Sequence, residues 1–123
     1  MKKDREMFRF QKLKIWQSSI ELADQSFEIA EGLTRKRLFG FSEQLRKASL
    51  SIPNNIAEGA GRSSKVEFRR FLDIAKGSAY ELVNMLILFT RRGYLQEKRR
   101  DPLLKDLQEL VRMISGFRRK LEA

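Results

Sequence analysis

A chain of 123 residues with no cysteine and no histidine has no disulfide framework, no thiolate metal site and no imidazole base for catalysis at neutral pH. That length suits one domain, residues 1–123, with a core that needs no metal or disulfide support. Lys and Arg number 26 against 16 Asp and Glu, and a net charge of +10 points to a polyanionic partner: nucleic acid, an anionic membrane surface or an acidic protein.

In chain order, apolar residues first recur at Leu13, Trp16, Ile20, Ala23, Phe27 and Ala30 in steps of three and four. That period predicts a helix over about residues 11–33, ended by Gly32, with a basic connection through Leu38. Phe41, Leu45, Ala48, Ile52 and Ile56 predict a second helix over about 42–60, capped by Ser42, bent at Pro53 and ended by Gly59 and Gly61. Ser64 and Glu67 form a capping box for a third, over about 64–92. Its apolar face is Phe68, Phe71, Leu72, Ala75, Ala79, Leu82, Met85, Leu86 and Phe89, and Gly93 is its left-handed cap. Asp101 and Pro102 read as the N-cap and first position of a fourth helix over about 101–121. Leu103, Leu107, Leu110, Val111, Ile114, Phe117 and Leu121 line its buried side. With no period-two run and little valine, the fold class is all-α: an antiparallel up-down four-helix bundle. No apolar run approaches the ~20 residues that span a bilayer, and the charged start lacks a secretory core, so a cytoplasmic protein without a membrane partner is expected.

Three groups of residues are candidates for function. Ser51, Asn55, Glu58 and Arg62 share one stripe of the second helix, in a segment that tolerates an interior proline at about 3 kcal/mol. We read Ser51, Asn55, Glu58 and Ser78 as a structural polar layer, with Gly77 and Ser78 admitting a close backbone and Glu58 ionised among donors. The second group is cationic: Lys2, Lys3, Arg5, Arg9, Lys12 and Lys14 at the start, and Arg35, Lys36 and Arg37 in the first connection. Arg62, Lys65, Arg69 and Arg70 border the second connection, Arg91, Arg92, Lys98, Arg99 and Arg100 surround the third, and Arg118, Arg119 and Lys120 close the chain. An up-down bundle places these at both ends, where they either solvate helix termini or grip phosphates without sequence preference. Arginine outnumbers lysine, which favours phosphate forks. The third group is aromatic: Trp16, Phe27, Phe68, Phe71 and Phe117 fall on apolar stripes, whereas Phe8, Phe10, Phe39, Phe41 and Tyr94 lie near helix ends. If exposed, the latter suit subunit contacts better than base stacking.

Leu13-x-x-Trp16, Gly40-Phe41-x-x-Gln44-Leu45-Arg46-x-Ala48 and Ser51-Ile52-Pro53-x-Asn55-Ile56-Ala57-Glu58-Gly59 follow one another along the chain. Phe68-x-x-Phe71-Leu72-x-Ile74-Ala75-x-Gly77-Ser78, Glu81-Leu82 and Gly93-Tyr94-Leu95 come after them. Together these motifs resemble the bacterial 23S rRNA intervening-sequence protein family, also called four-helix bundle proteins. The chain departs from that pattern at Arg35 to Phe39, where many members carry a Phe-Pro pair and a glutamate. The resemblance implies a left-handed bundle assembling into a ring-shaped homopentamer with a central channel. It also implies structural similarity to the basic accessory variability proteins of diversity-generating retroelements, which bind a reverse transcriptase and nucleic acid. It carries over no catalytic, cofactor-binding or metal-binding residue. The expected function is therefore a non-enzymatic, basic, oligomeric protein binding nucleic acid, structured RNA in particular, through charge and not sequence. The alternative is a protein-binding adaptor, such as an accessory to a reverse transcriptase.

Overall fold

Each apolar stripe folds into one long helix. The computed structural model describes residues 7–122: a 3-10 turn at Arg9–Lys12, then α1 (Lys14–Arg35), α2 (Phe39–Ala60), α3 (Lys65–Arg91) and α4 (Glu97–Lys120), with no strand among the described residues. Leu45, Ile52, Ile56, Leu72, Leu82, Leu86, Phe89, Leu107 and Ile114 form a continuous buried core. α2 packs closely on both α1 and α3, whereas α4 rests mainly on α3 and leaves a looser seam with α1.

Three long side-chain bonds define the two ends of the bundle. Lys36 Nζ donates to Tyr94 O at 3.2 Å and ties the first connection to the third; we call this the two-loop end. At the opposite, terminal end, Arg9 Nη2 donates to Ala60 O and Arg69 Nη1 donates to Leu121 O, each at 2.7 Å. The N-terminal turn, the end of α2 and the end of α4 therefore lie together, as an up-down topology requires.

The buried face of α1 is rotated from the expected stripe. Ile15, Ser19, Leu22, Ser26, Ile29 and Leu33 are buried, while Ile20 is 38% exposed and Trp16 and Phe27 are half-buried. Two serines take the place that larger apolar residues were expected to fill. Their hydroxyls donate back to carbonyls of their own helix, Ser19 to Trp16 O and Ser26 to Leu22 O at 2.8 Å each, so burial leaves neither unpaired.

Helix ends moved where tertiary contacts outcompeted local signals. α1 passes through Gly32 and ends at Arg35, and α2 begins at Phe39 instead of Ser42. Ser42 is not a cap because its hydroxyl faces α1, 2.8 Å from Ala30 O and 2.7 Å from Thr34 Oγ1, and accepts Arg46 Nη1–H at 2.7 Å. α1 and α3 finish on the same device: Leu38 N–H bonds Leu33 O and Arg37 N–H bonds Thr34 O at 2.9 Å, as Tyr94 N–H bonds Phe89 O and Gly93 N–H bonds Thr90 O. The left-handed residue is Gly93 (φ 78) in α3, as expected, but Arg37 (φ 64) in α1. A side chain in that conformation costs about 1–2 kcal/mol. α4 starts at Glu97, four residues ahead of expectation, with Pro102 inside it and Asp101 bonded to Arg100. The proline removes only the bond to Lys98 O, in the second turn.

Gly59 does not stop α2; it makes room. A Cβ there would lie 2.8 Å from Phe68 Cδ1 and 2.8 Å from Phe71 Cβ, whereas one at Gly77 would meet nothing within 4 Å. Gly77 thus admits no close backbone within the chain, against expectation. Gly59→Ala is expected to destabilise by about 1–3 kcal/mol through overpacking, and Gly77→Ala to stabilise by about 0.5–1 kcal/mol through helix propensity. Urea unfolding of the two variants checks the opposite signs.

Candidate nucleic-acid interface

Part of the polar stripe meets α3. Ser51 Oγ lies 2.8 Å from Ser78 Oγ, and Asn55 Nδ2 donates to Ser51 O at 2.7 Å and Ser51 Oγ at 3.0 Å. Glu58 stands outside this group, contrary to expectation: its side chain is 54% exposed and accepts from Arg62 Nη2 at 2.9 Å on the surface. The reason is position along the helix and not angle: a residue seven beyond Ser51 keeps nearly the same face, but Glu58 lies in the last turn of α2, where it pairs with Arg62 in solvent. Glu58→Gln is therefore expected to change stability by less than about 1 kcal/mol. Ser51→Ala, which leaves the buried Ser78 hydroxyl without its partner, should cost about 1–2 kcal/mol. Chemical denaturation of the two single variants tests that order.

The two ends carry similar numbers of cations but use them differently. At the terminal end four arginines, Arg9, Arg62, Arg69 and Arg118, are bonded to protein groups, whereas Arg119 is exposed with no partner among the described residues. Arg9 and Arg69 bond the last carbonyls of α2 and α4, where a cation suits the negative end of the helix dipole. Arg62 pairs with Glu58, reaches Glu67 at 3.8 Å and sits 5.1 Å over the Phe71 ring. Arg70 lies 5.8 Å from the same ring. Arg118 forks onto Asp73 at 2.7 and 3.1 Å and also bonds Glu122. The hydrogen bond to Asp73 is the main reason its guanidinium is held above its ordinary pKa. Ser64 caps α3 by accepting Glu67 N–H at 3.0 Å. Lys65 lines an open groove of about 390 Å³ with Arg9, Ser64 and Phe117. Arg119 and Lys120, with Lys14, rim another of about 590 Å³ over Ile15, Met113 and Phe117, in the loose α1–α4 seam.

At the two-loop end most cations face water. Arg35, Arg37, Arg91, Arg92 and Lys98 are exposed, and none of them pairs with a described carboxylate. Lys36 holds Tyr94 O, Arg99 lies 3.8 Å from Glu28 and Arg100 pairs with Asp101 at 2.8 Å. Beside them Phe39 is 59% and Phe41 38% exposed. The Phe41 ring rests 5.5 Å from Phe89 and 6.0 Å from Tyr94. Lys2, Lys3 and Arg5 lie outside the described residues.

Nothing along the sequence separates tied arginines from unpaired ones, since both ends are basic in one dimension. The asymmetry arises because α2 and α4 end where Arg9 and Arg69 can reach them. Among the described residues no group of three or more Asp and Glu is placed to hold a metal ion, and no helix is long and apolar enough to cross a membrane.

Comparison with solved structures finds a protein of unknown function from the S23 ribosomal protein family of Bacteroides thetaiotaomicron VPI-5482. It is 24% identical, with a TM-score of 0.80 over 85% of this chain and 97% of that one, a likeness of fold. No curated protein matches the chain. Residues 11–116 match the family described as 23S rRNA-intervening sequence protein. That span runs from the turn before α1 almost to the end of α4, so the chain belongs to the 23S rRNA-intervening sequence protein family.

Proposed function

We propose that this protein is a non-enzymatic, oligomeric RNA-binding protein of the cytoplasm that grips phosphates through the two-loop end and recognises charge, not sequence. The observation that carries this reading is the set of exposed arginines at 35, 37, 91 and 92, none paired with a described carboxylate, on one end of a chain with net charge +10. Arginine keeps its charge and forks onto phosphate oxygens, and a guanidinium without a carboxylate partner is available to do so. The family name, which refers to 23S rRNA, favours RNA among the possible polyanions.

Assembly into a homopentameric ring is the oligomer this reading adopts. Self-contact, though not the number five, is supported by a patch away from both basic ends, where Ile20 and Leu50 are 38% and 40% exposed and line an open groove with Ala23, Phe27, Glu21 and Asp24. A strongly cationic protein gains from self-contact there, because the patch lies between the charged ends and not on them. Light scattering that returns a monomer at micromolar concentration would remove the oligomer while leaving RNA binding open.

The direct test is anisotropy titration of labelled RNA at increasing salt. Six to ten phosphate contacts should weaken binding by about 10³–10⁵ between roughly 50 and 200 mM salt. Absence of binding at the lower salt, or affinity that ignores salt, contradicts the reading.

A further inference from the structure

We propose that the two-loop end takes single-stranded RNA, with an unpaired base stacking on Phe39 beside the cations that hold the backbone. This inference rests on the RNA-binding reading above and specifies the form of nucleic acid that the end accepts.

Three observations converge. Phe39, the first residue of α2, leaves 59% of its surface in water two positions after Arg37. Exposed apolar residues are common singly, but here a second ring lies close in sequence. Phe41 is 38% exposed and seated on Phe89, which is 1% exposed, so its ring stands on the core and is held in place. Tyr94 closes the set, 6.0 Å from Phe41, and its carbonyl receives the Lys36 ammonium. Phe41, Tyr94 and the first and third connections therefore belong to one end of the bundle, on which Phe39 is the ring most open to water. Finally, α1 ends on Arg37 at φ 64, a position where α3 uses glycine, so the chain keeps a cation beside Phe39 in a conformation that side chains resist.

Chemistry selects among occupants. A second copy meeting this end face to face would set its own Arg35, Arg37, Arg91 and Arg92 against their counterparts, an arrangement in which like charges outnumber the nearby carboxylates Glu31, Glu43 and Glu97. An A-form duplex offers phosphates but keeps its bases stacked within the helix, out of reach of an aromatic side chain. A single strand presents phosphates and free π-faces together, and such stacking tolerates any base. At the terminal end Phe8 is equally exposed, at 62%, but it stacks on Phe10 at 5.9 Å and stands where Arg9 is tied to protein. It serves as a control.

The experiment measures affinity of the full chain for a single-stranded RNA oligonucleotide and for the blunt duplex of the same sequence, with light scattering on each variant. Phe39→Ala is expected to weaken single-strand binding roughly 5- to 150-fold, to leave duplex binding and the salt slope unchanged, and to be rescued by Phe39→Trp. Phe8→Ala should be silent. Equal single-strand and duplex affinity with Phe39→Ala silent overturns the inference while the charge reading stands. Loss of oligomer size in Phe39→Ala, with RNA affinity intact, assigns the ring to a second copy and also overturns it. Failure of the wild type to bind either RNA at low salt removes both readings at once.

Discussion

Replacing Arg35, Arg37, Arg91 and Arg92 together by alanine is expected to reduce the slope of log affinity against log salt for single-stranded RNA by about 3. Each phosphate contact contributes roughly 0.7 to that slope, and the four guanidiniums are exposed and paired with no described carboxylate. Because none of the four holds another protein group, the melting temperature should change little. The matched change at the terminal end has the opposite profile. Arg9→Ala and Arg69→Ala each remove a charge-assisted bond to a terminal carbonyl and should cost about 1 kcal/mol apiece, with the salt slope nearly intact. Salt titrations and thermal melts on the two sets separate a phosphate-binding end from a structural one. An equal change of slope per arginine removed in both sets would show that bulk charge, and not the two-loop end, governs binding.

Phe89→Ala is expected to destabilise the fold by about 3–5 kcal/mol, a large share of the roughly 5–15 kcal/mol that holds a domain together. Phe89 is almost wholly buried and supports two other rings, Phe41 at 5.5 Å and Tyr94 at 6.4 Å. Its carbonyl also accepts Tyr94 N–H at 2.8 Å in the turn that ends α3. The melting temperature should fall by roughly 10–20 °C, followed by circular dichroism. A fall of only a few degrees would mean that the neighbouring rings collapse into the vacated space, and that the aromatic base under Phe41 is replaceable. Phe39→Ala, by contrast, truncates an exposed ring and should leave the melt unchanged, which keeps its effect on RNA readable.

The helical period, the glycine cap at Gly93 and the serine cap at Ser64 were all legible in one dimension, because each depends on residues within one or two turns of each other. So was the excess of positive charge. The rotated face of α1 was not. Ser19 and Ser26 read as polar, yet each satisfies its hydroxyl within its own helix, and only the packing of the bundle decides that they belong inside. Ser42 and Asp101 misled for a related reason: both are good caps locally, but the first is drawn into a contact with α1 and the second pairs with Arg100 while the helix starts earlier. Glu58 lies on the stripe with Ser51, but the stripe reaches the surface before Glu58.

Periodicity, caps and net charge are local or additive, and they specify an all-helical chain, the order of its four helices and a surplus of cations at both ends. Tertiary structure decided which cations are available. Where the ends of α2 and α4 bring bare carbonyls within reach, arginines are drawn inward to satisfy them. At the two-loop end the turns satisfy their own backbone groups, and the guanidiniums beside the exposed rings remain in water.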